Sequence, residues 1–175
     1  MSRGPALDMY PRGPLDGVLY YLLPDLEWQY FPGHRLDFGL ELRFSDGLFA
    51  VTWDRRTGEL DLASVGLAGR LVEPHALDAI GFDPWRRLVG QRPAHVSLRR
   101  PGVVGWTGSD GPSAVCIRFD GGESVWVVAG NYLDDVEGLD EADRLVPYGD
   151  EIIVVDDPDV AERLGITAWP SADGD

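Results

Sequence analysis

The sequence predicts an α+β domain on a mostly antiparallel β-sheet of about seven or eight strands, with two short helices against it. Two observations carry this prediction. Leu40 to Trp53 (LELRFSDGLFAVTW) and Val115 to Val128 (VCIRFDGGESVWVV) each read as an alternating strand, a tight polar turn and a second alternating strand, which is the strongest short-range signal for a hairpin. Elsewhere the apolar runs are joined by turns too short for the crossover that a parallel pair requires.

The two hairpins superpose without a gap, Arg43-Phe44 falling on Arg118-Phe119, 75 positions apart. Solenoid and propeller repeats recur at roughly 20 to 50 residues, a shorter spacing. A duplicated half-domain would extend the match beyond the hairpins, where the offset finds almost nothing. Convergence of two good hairpins is the favoured reading. In the first, Asp46-Gly47 as a type I′ loop sets Phe44 opposite Phe49, Leu42 opposite Val51 and Leu40 opposite Trp53, all on one face. That loop demands positive φ at Gly47. The opposite face, Glu41 with Thr52 and Arg43 with Ala50, suits solvent.

In the second hairpin, Gly121-Gly122 as the loop sets Phe119 opposite Ser124, Ile117 opposite Trp126 and Val115 opposite Val128. Its other face (Cys116, Val125, Val127) is also apolar. This pair is therefore expected to be central and buried on both sides, with the first hairpin nearer an edge.

The remaining elements follow in order. Residues 1–16, with three prolines and no periodicity, read as a flexible leader to one globular domain over 17–168, and 169–175 as a tail. Val18 to Leu23 is a strand apolar on both faces. Pro24 to Leu36 holds Trp28, Tyr30 and Phe31 but no assignable period. After the first hairpin, Leu60 and Leu62 alternate with Glu59 and Asp61 and complete a meander. Pro74 and Gly81 bracket a short helix burying Leu77 and Ile80, and Trp85 to Val89 adds a turn. His95 to Arg99 is a strand with Val96 and Leu98 inward, and Val103 to Thr107, carrying Trp106, is its expected partner. Glu151 to Val155 is a buried strand. The last helix has Asp157 as N-cap, Pro158 at its first position, Val160 and Leu164 on one face, and Gly165 closing it.

Composition bounds the function. The chain has 175 residues, 44% of them hydrophobic, enough for one domain with its own core. A net charge of −15 disfavours nucleic acid and anionic membrane surfaces and permits a basic protein partner. All 15 cationic side chains are arginine. GC-rich bacterial coding explains this better than a halophilic surface, because the charged fraction of 26% is ordinary. Without lysine no side-chain Schiff base forms and no P-loop lysine reaches a phosphate. One cysteine, Cys116, allows no internal disulfide and no CxxC site, and its place in a buried strand makes it an inert thiol. The first residues have no apolar signal region and no run is long enough to span a membrane, so a cytoplasmic location is the expectation.

Few residues point to chemistry. His34 falls in a turn, His75 in a helix and His95 on a strand's polar face, without metal-ligand spacing. They read as unrelated surface histidines. Gly105 to Gly111 lacks the spacing of a phosphate loop or nucleophile elbow. The densest charge cluster is Asp134, Asp135, Glu137, Asp140, Glu141 and Asp143. It lacks the ligand pattern of a calcium loop, so it is either a solvated loop or a patch for a basic partner. No cofactor and no catalytic residue are expected. A small acidic chain without catalytic motifs resembles, in composition alone, the bacterial immunity proteins that neutralise basic toxin domains. The expectation is therefore a non-catalytic, protein-binding module. The alternative is a small-molecule binder or small enzyme with an aromatic-lined cavity between sheet and helices.

Overall fold

Strands with apolar side chains on both faces need cover on both faces, and this chain meets the need with two sheets instead of one. The computed structural model describes residues 10–23, 33–54, 60–71, 75–99, 114–133, 137–147 and 151–167. Its strands are β1 (Leu15–Leu22), β2 (His34–Leu36), β3 (Gly39–Phe44), β4 (Gly47–Trp53), β5 (Leu60–Ala63), β6 (His75–Asp78), β7 (Pro93–Arg99), β8 (Ala114–Phe119), β9 (Ser124–Tyr132), β10 (Leu145–Pro147) and β11 (Glu151–Val155). The helices are α1 (Trp85–Leu88) and α2 (Pro158–Arg163), with a 3-10 turn over Glu141–Arg144. One sheet has the order β5-β4-β3-β1-β6 and the other β2-β11-β9-β8-β7, with β10 on β9. Every pairing is antiparallel. The α+β, mostly antiparallel class is thus as expected, with more strands than the sequence suggests.

Alternation decides which side chains meet. Val18, Tyr20 and Leu22 of β1, Leu40, Leu42 and Phe44 of β3, and Phe49 and Val51 of β4 point one way. They join Val115, Ile117 and Phe119 of β8, Val125 and Val127 of β9, and Ile152 and Val154 of β11 in one buried cluster between the sheets. On the far side of the second sheet, Cys116, Trp126, Val128, Ile153 and Val155 are covered by Val160, Ala161 and Leu164 of α2. Each large apolar side chain so buried stabilises by about 1.5–3 kcal/mol. The three-residue β2 holds its place on β11 through Arg35, which pairs with Glu151 and lies 5.6 Å over the Tyr132 ring.

The second hairpin is buried on both sides and central, as read from its pattern, but its register differs by one residue. Ile117 faces Val125 and Cys116 faces Trp126. The loop is three residues, Asp120 to Gly122, because Gly122 supplies the left-handed φ of +92° that closes this turn with a bulge. The first hairpin is shifted by two, so its faces are kept: Phe44 pairs with Gly47 and Leu42 with Phe49. Its loop is Ser45-Asp46, and Gly47 does not have positive φ. The cause lies outside the hairpin. Asp46 accepts hydrogen bonds from the Arg12 and Gly13 N–H groups at 2.9 and 2.8 Å, and Ser45 N–H donates to Pro14. These residues belong to the expected leader, whose described part packs onto the sheet, with the Tyr10 ring edge-on to Phe49 at 5.1 Å.

Two further expectations change. The helix placed after Pro74 is instead strand β6, because pairing Ala76 and Leu77 with Tyr21 and Tyr20 satisfies its backbone at the sheet edge. The polar face of the first hairpin is not solvated: Glu41 and Thr52 are buried. The strand expected over residues 103–107 lies outside the described residues. The last helix forms as read, with the Asp157 side chain accepting from the Asp159 N–H at 2.8 Å and Gly165 closing it at φ 69°.

The demand for glycine moves with the register. Gly39 sits at φ +144°, and a Cβ there would lie 2.2 Å from the Val51 carbonyl oxygen. A Cβ on Gly47 meets Pro11 at 3.5 Å, an ordinary contact. Chemical denaturation should show Gly39→Ala destabilised by about 2–3 kcal/mol and Gly47→Ala by about 0.5 kcal/mol or less.

Candidate functional site

The acidic run is only partly within view. Asp134 and Asp135 lie outside the described residues. Glu137 is exposed beside Gly138, and Asp140 is exposed at the start of the 3-10 turn. Glu141 lies on that turn, with its side chain outside the described set. Asp143 is also exposed, and its N–H closes the turn onto the Asp140 carbonyl at 2.9 Å.

What the sequence reading missed is the neighbour of this run. Burying Val160, Ala161 and Leu164 of α2 leaves Asp157, Asp159 and Glu162 facing solvent. Asp143 reaches α2 through an ion pair with Arg163 at 3.5 Å. Such an exposed pair adds little stability. Its significance is positional, because it joins two acidic segments about 20 residues apart in sequence into one surface. The helical period of α2 was a readable signal for its acidic face; the contact with the 3-10 turn was not.

Beside this surface is a groove of about 440 Å³ where α1, the loop of the second hairpin and the start of α2 meet. Arg87 crosses it, reaching Asp156 at 2.6 Å, Glu123 at 3.5 Å and Asp83 at 3.7 Å. Asp83 also pairs with Arg86, and Glu123 accepts from the Gln91 amide at 2.6 Å. Burial raises the Asp156 carboxyl above its ordinary range, and the Arg87 guanidinium counters only part of this. Trp126 lines the groove; its indole N–H is buried and finds no acceptor among the described residues.

Besides Thr52, two polar residues that the sequence places at the surface are buried. Glu41 is 1% exposed under residues 64–71, accepting from the Leu67 N–H at 2.7 Å and from Arg43 at 3.2 Å. Burial and this carboxylate push the neighbouring Tyr21 hydroxyl up to about 12. His34 is 2% exposed on β2 instead of in a surface turn. The Tyr20 hydroxyl bonds its Nδ1 and accepts from the Trp85 indole N–H, giving a polar chain inside the shared core. His75 is exposed on β6 and His95 half-buried on β7, so the histidines do not converge. Among the described residues no three His, Cys, Asp or Glu side chains are grouped to hold a metal ion. Cys116 is buried, its thiol 3.6 Å from the Ile166 carbonyl oxygen.

A further cavity, about 640 Å³, lies on the outer side of the first sheet, lined by Phe38, Trp53, Leu67 and Arg70. No family model, no curated protein and no solved structure matches this chain.

The His34 site has a measurable consequence. Burial lowers its pKa from 6.5 in an unfolded chain to about 4. Between these values the unfolded chain takes up a proton that the folded one refuses. The contribution of neutral His34 is therefore complete above pH 6.5 and is lost as the pH falls toward 4, by roughly 3 kcal/mol in all. Urea titrations from pH 7 to 4 should show a steeper loss of stability for the native chain than for His34→Gln.

Proposed function

We propose that this protein is a non-catalytic acidic module that recognises a basic protein partner, in the manner of immunity or antitoxin proteins of the bacterial cytosol. The observation that carries the reading is the joined acidic surface, where Asp140 and Asp143 on the 3-10 turn meet α2 and its exposed Asp157, Asp159 and Glu162. Carboxylates collected on one side of a molecule of net charge −15 draw a basic partner to that side and repel phosphate backbones. The buried setting of His34, Glu41 and Cys116, which packing and hydrogen bonding account for, also favours binding over catalysis. No helix among the described residues is long and apolar enough to cross a membrane.

A second reading rests on the 640 Å³ cavity, whose Phe38 and Trp53 walls suit a small molecule. It lies on the outer side of a sheet, not between sheet and helices. Native mass spectrometry of purified protein carrying a bound small molecule would favour this reading.

Exposed charges act mainly on the association rate. Once a basic partner is purified from the native host, replacing Glu137, Asp140, Asp143, Asp159 and Glu162 by their amides should slow association about tenfold at low salt and flatten its salt dependence. Dissociation should change little and circular dichroism should be unaltered. An unchanged association rate at every salt concentration would reduce this surface to solvated loop and helix.

A further inference from the structure

The groove beside α2 differs from the surface around it in being concave, partly apolar and incompletely neutralised. Leu88, Val125 and Trp126 form its apolar walls, and Glu123 and Asp156 face it with Arg87 as the only cation among the described residues of its lining. Arg87 is already engaged by these carboxylates and by Asp83, so the lining keeps an excess of negative charge. A second observation is independent of charge. Trp126 is 3% exposed, lines the groove, and has an indole N–H without an acceptor among the described residues. A buried donor without an acceptor costs about 1–3 kcal/mol, which a bound acceptor recovers.

We propose that this groove is the anchor pocket for one arginine side chain of the partner polypeptide. The guanidinium is held by Glu123 and Asp156, and a backbone carbonyl of the same segment accepts from the Trp126 indole N–H. The assignment rests on the reading of the protein as a module for a basic partner and names the residue type that partner inserts. Arginine fits better than lysine because its planar, weakly hydrated guanidinium lies against apolar and aromatic walls while donating to more than one carboxylate. The volume of about 440 Å³ falls in the range of small-ligand pockets.

The probe is N-acetyl-arginine N′-methylamide, which carries a guanidinium and flanking carbonyls, with the citrulline analogue as its neutral isostere. Both are titrated into the ¹⁵N-labelled full chain, observing the indole N–H resonance that disappears in Trp126→Phe. The arginine amide should shift this resonance saturably, and the citrulline amide should bind about tenfold more weakly. The Glu123→Gln, Asp156→Asn double variant should lose the preference for arginine. Because Asp156→Asn also removes an ion pair with Arg87, the arginine–citrulline comparison on the unaltered protein decides the matter if the variant is unstable. Equal binding of the two amides, or no shift of the Trp126 resonance, would overturn the assignment. If the arginine amide fails while partner association still depends on the surface carboxylates, the anchor is wrong and the basic-partner reading stands. If the amide binds as expected and the neutralised surface leaves partner association unchanged, the pocket stands and the wider acidic surface does not.

Discussion

One apolar layer shared by two sheets is the constraint on which the rest of this fold depends. β1, β3 and β4 of one sheet and β8, β9 and β11 of the other turn their alternate residues into it. Without the opposite sheet, each would expose a continuous apolar face, which a strand pattern of period two makes unavoidable. The layer is not wholly apolar. Tyr20 contributes a hydroxyl to its centre, and that hydroxyl is tolerated because it bonds both His34 and the Trp85 indole. The chain of three side chains ties β1, β2 and α1 together, so the two sheets are linked by directional bonds as well as by packing.

Each sheet then needs an outer cover, and the two covers differ. α2 covers the second sheet with Val160, Ala161 and Leu164, and a helix that buries one stripe must present the other to water. In α2 that other stripe is acidic, which is how a packing requirement comes to place Asp157, Asp159 and Glu162 on the surface. The first sheet is covered by residues 64–71, with Leu67 buried against Tyr21 and Ala50. This irregular segment turns on the Leu67 carbonyl, which accepts from the Arg70 and Leu71 N–H groups, and the buried Glu41 carboxylate accepts the Leu67 N–H. A charged residue on a strand here serves as a fastener.

The proposed recognition features follow from these covers. The 3-10 turn and α2 come side by side because both flank the second sheet, and the groove opens where α1, the loop of the second hairpin and the start of α2 fail to fill the space between them. The carboxylates around it are thus collected from segments far apart in sequence, Asp83, Glu123 and Asp156, with Arg87 holding all three. The concentration of charge is a product of topology more than of any local run.

Much of the fold was legible from local pattern. The hairpins, the strand over residues 151–155 and the capping of α2 depend on alternation, turn glycines and N-cap chemistry, all of which act within a few residues. Tertiary structure decided the rest. Asp46 is held by the backbone of residues 12 and 13, which moved the first loop by two positions. The short segment after Pro74 carries helix punctuation, yet a free sheet edge on β1 made it a strand. His34, Glu41 and the groove around Arg87 were invisible for one physical reason: burial and electrostatic partnership depend on what covers a residue, and in each case the covering residues come from a distant part of the chain.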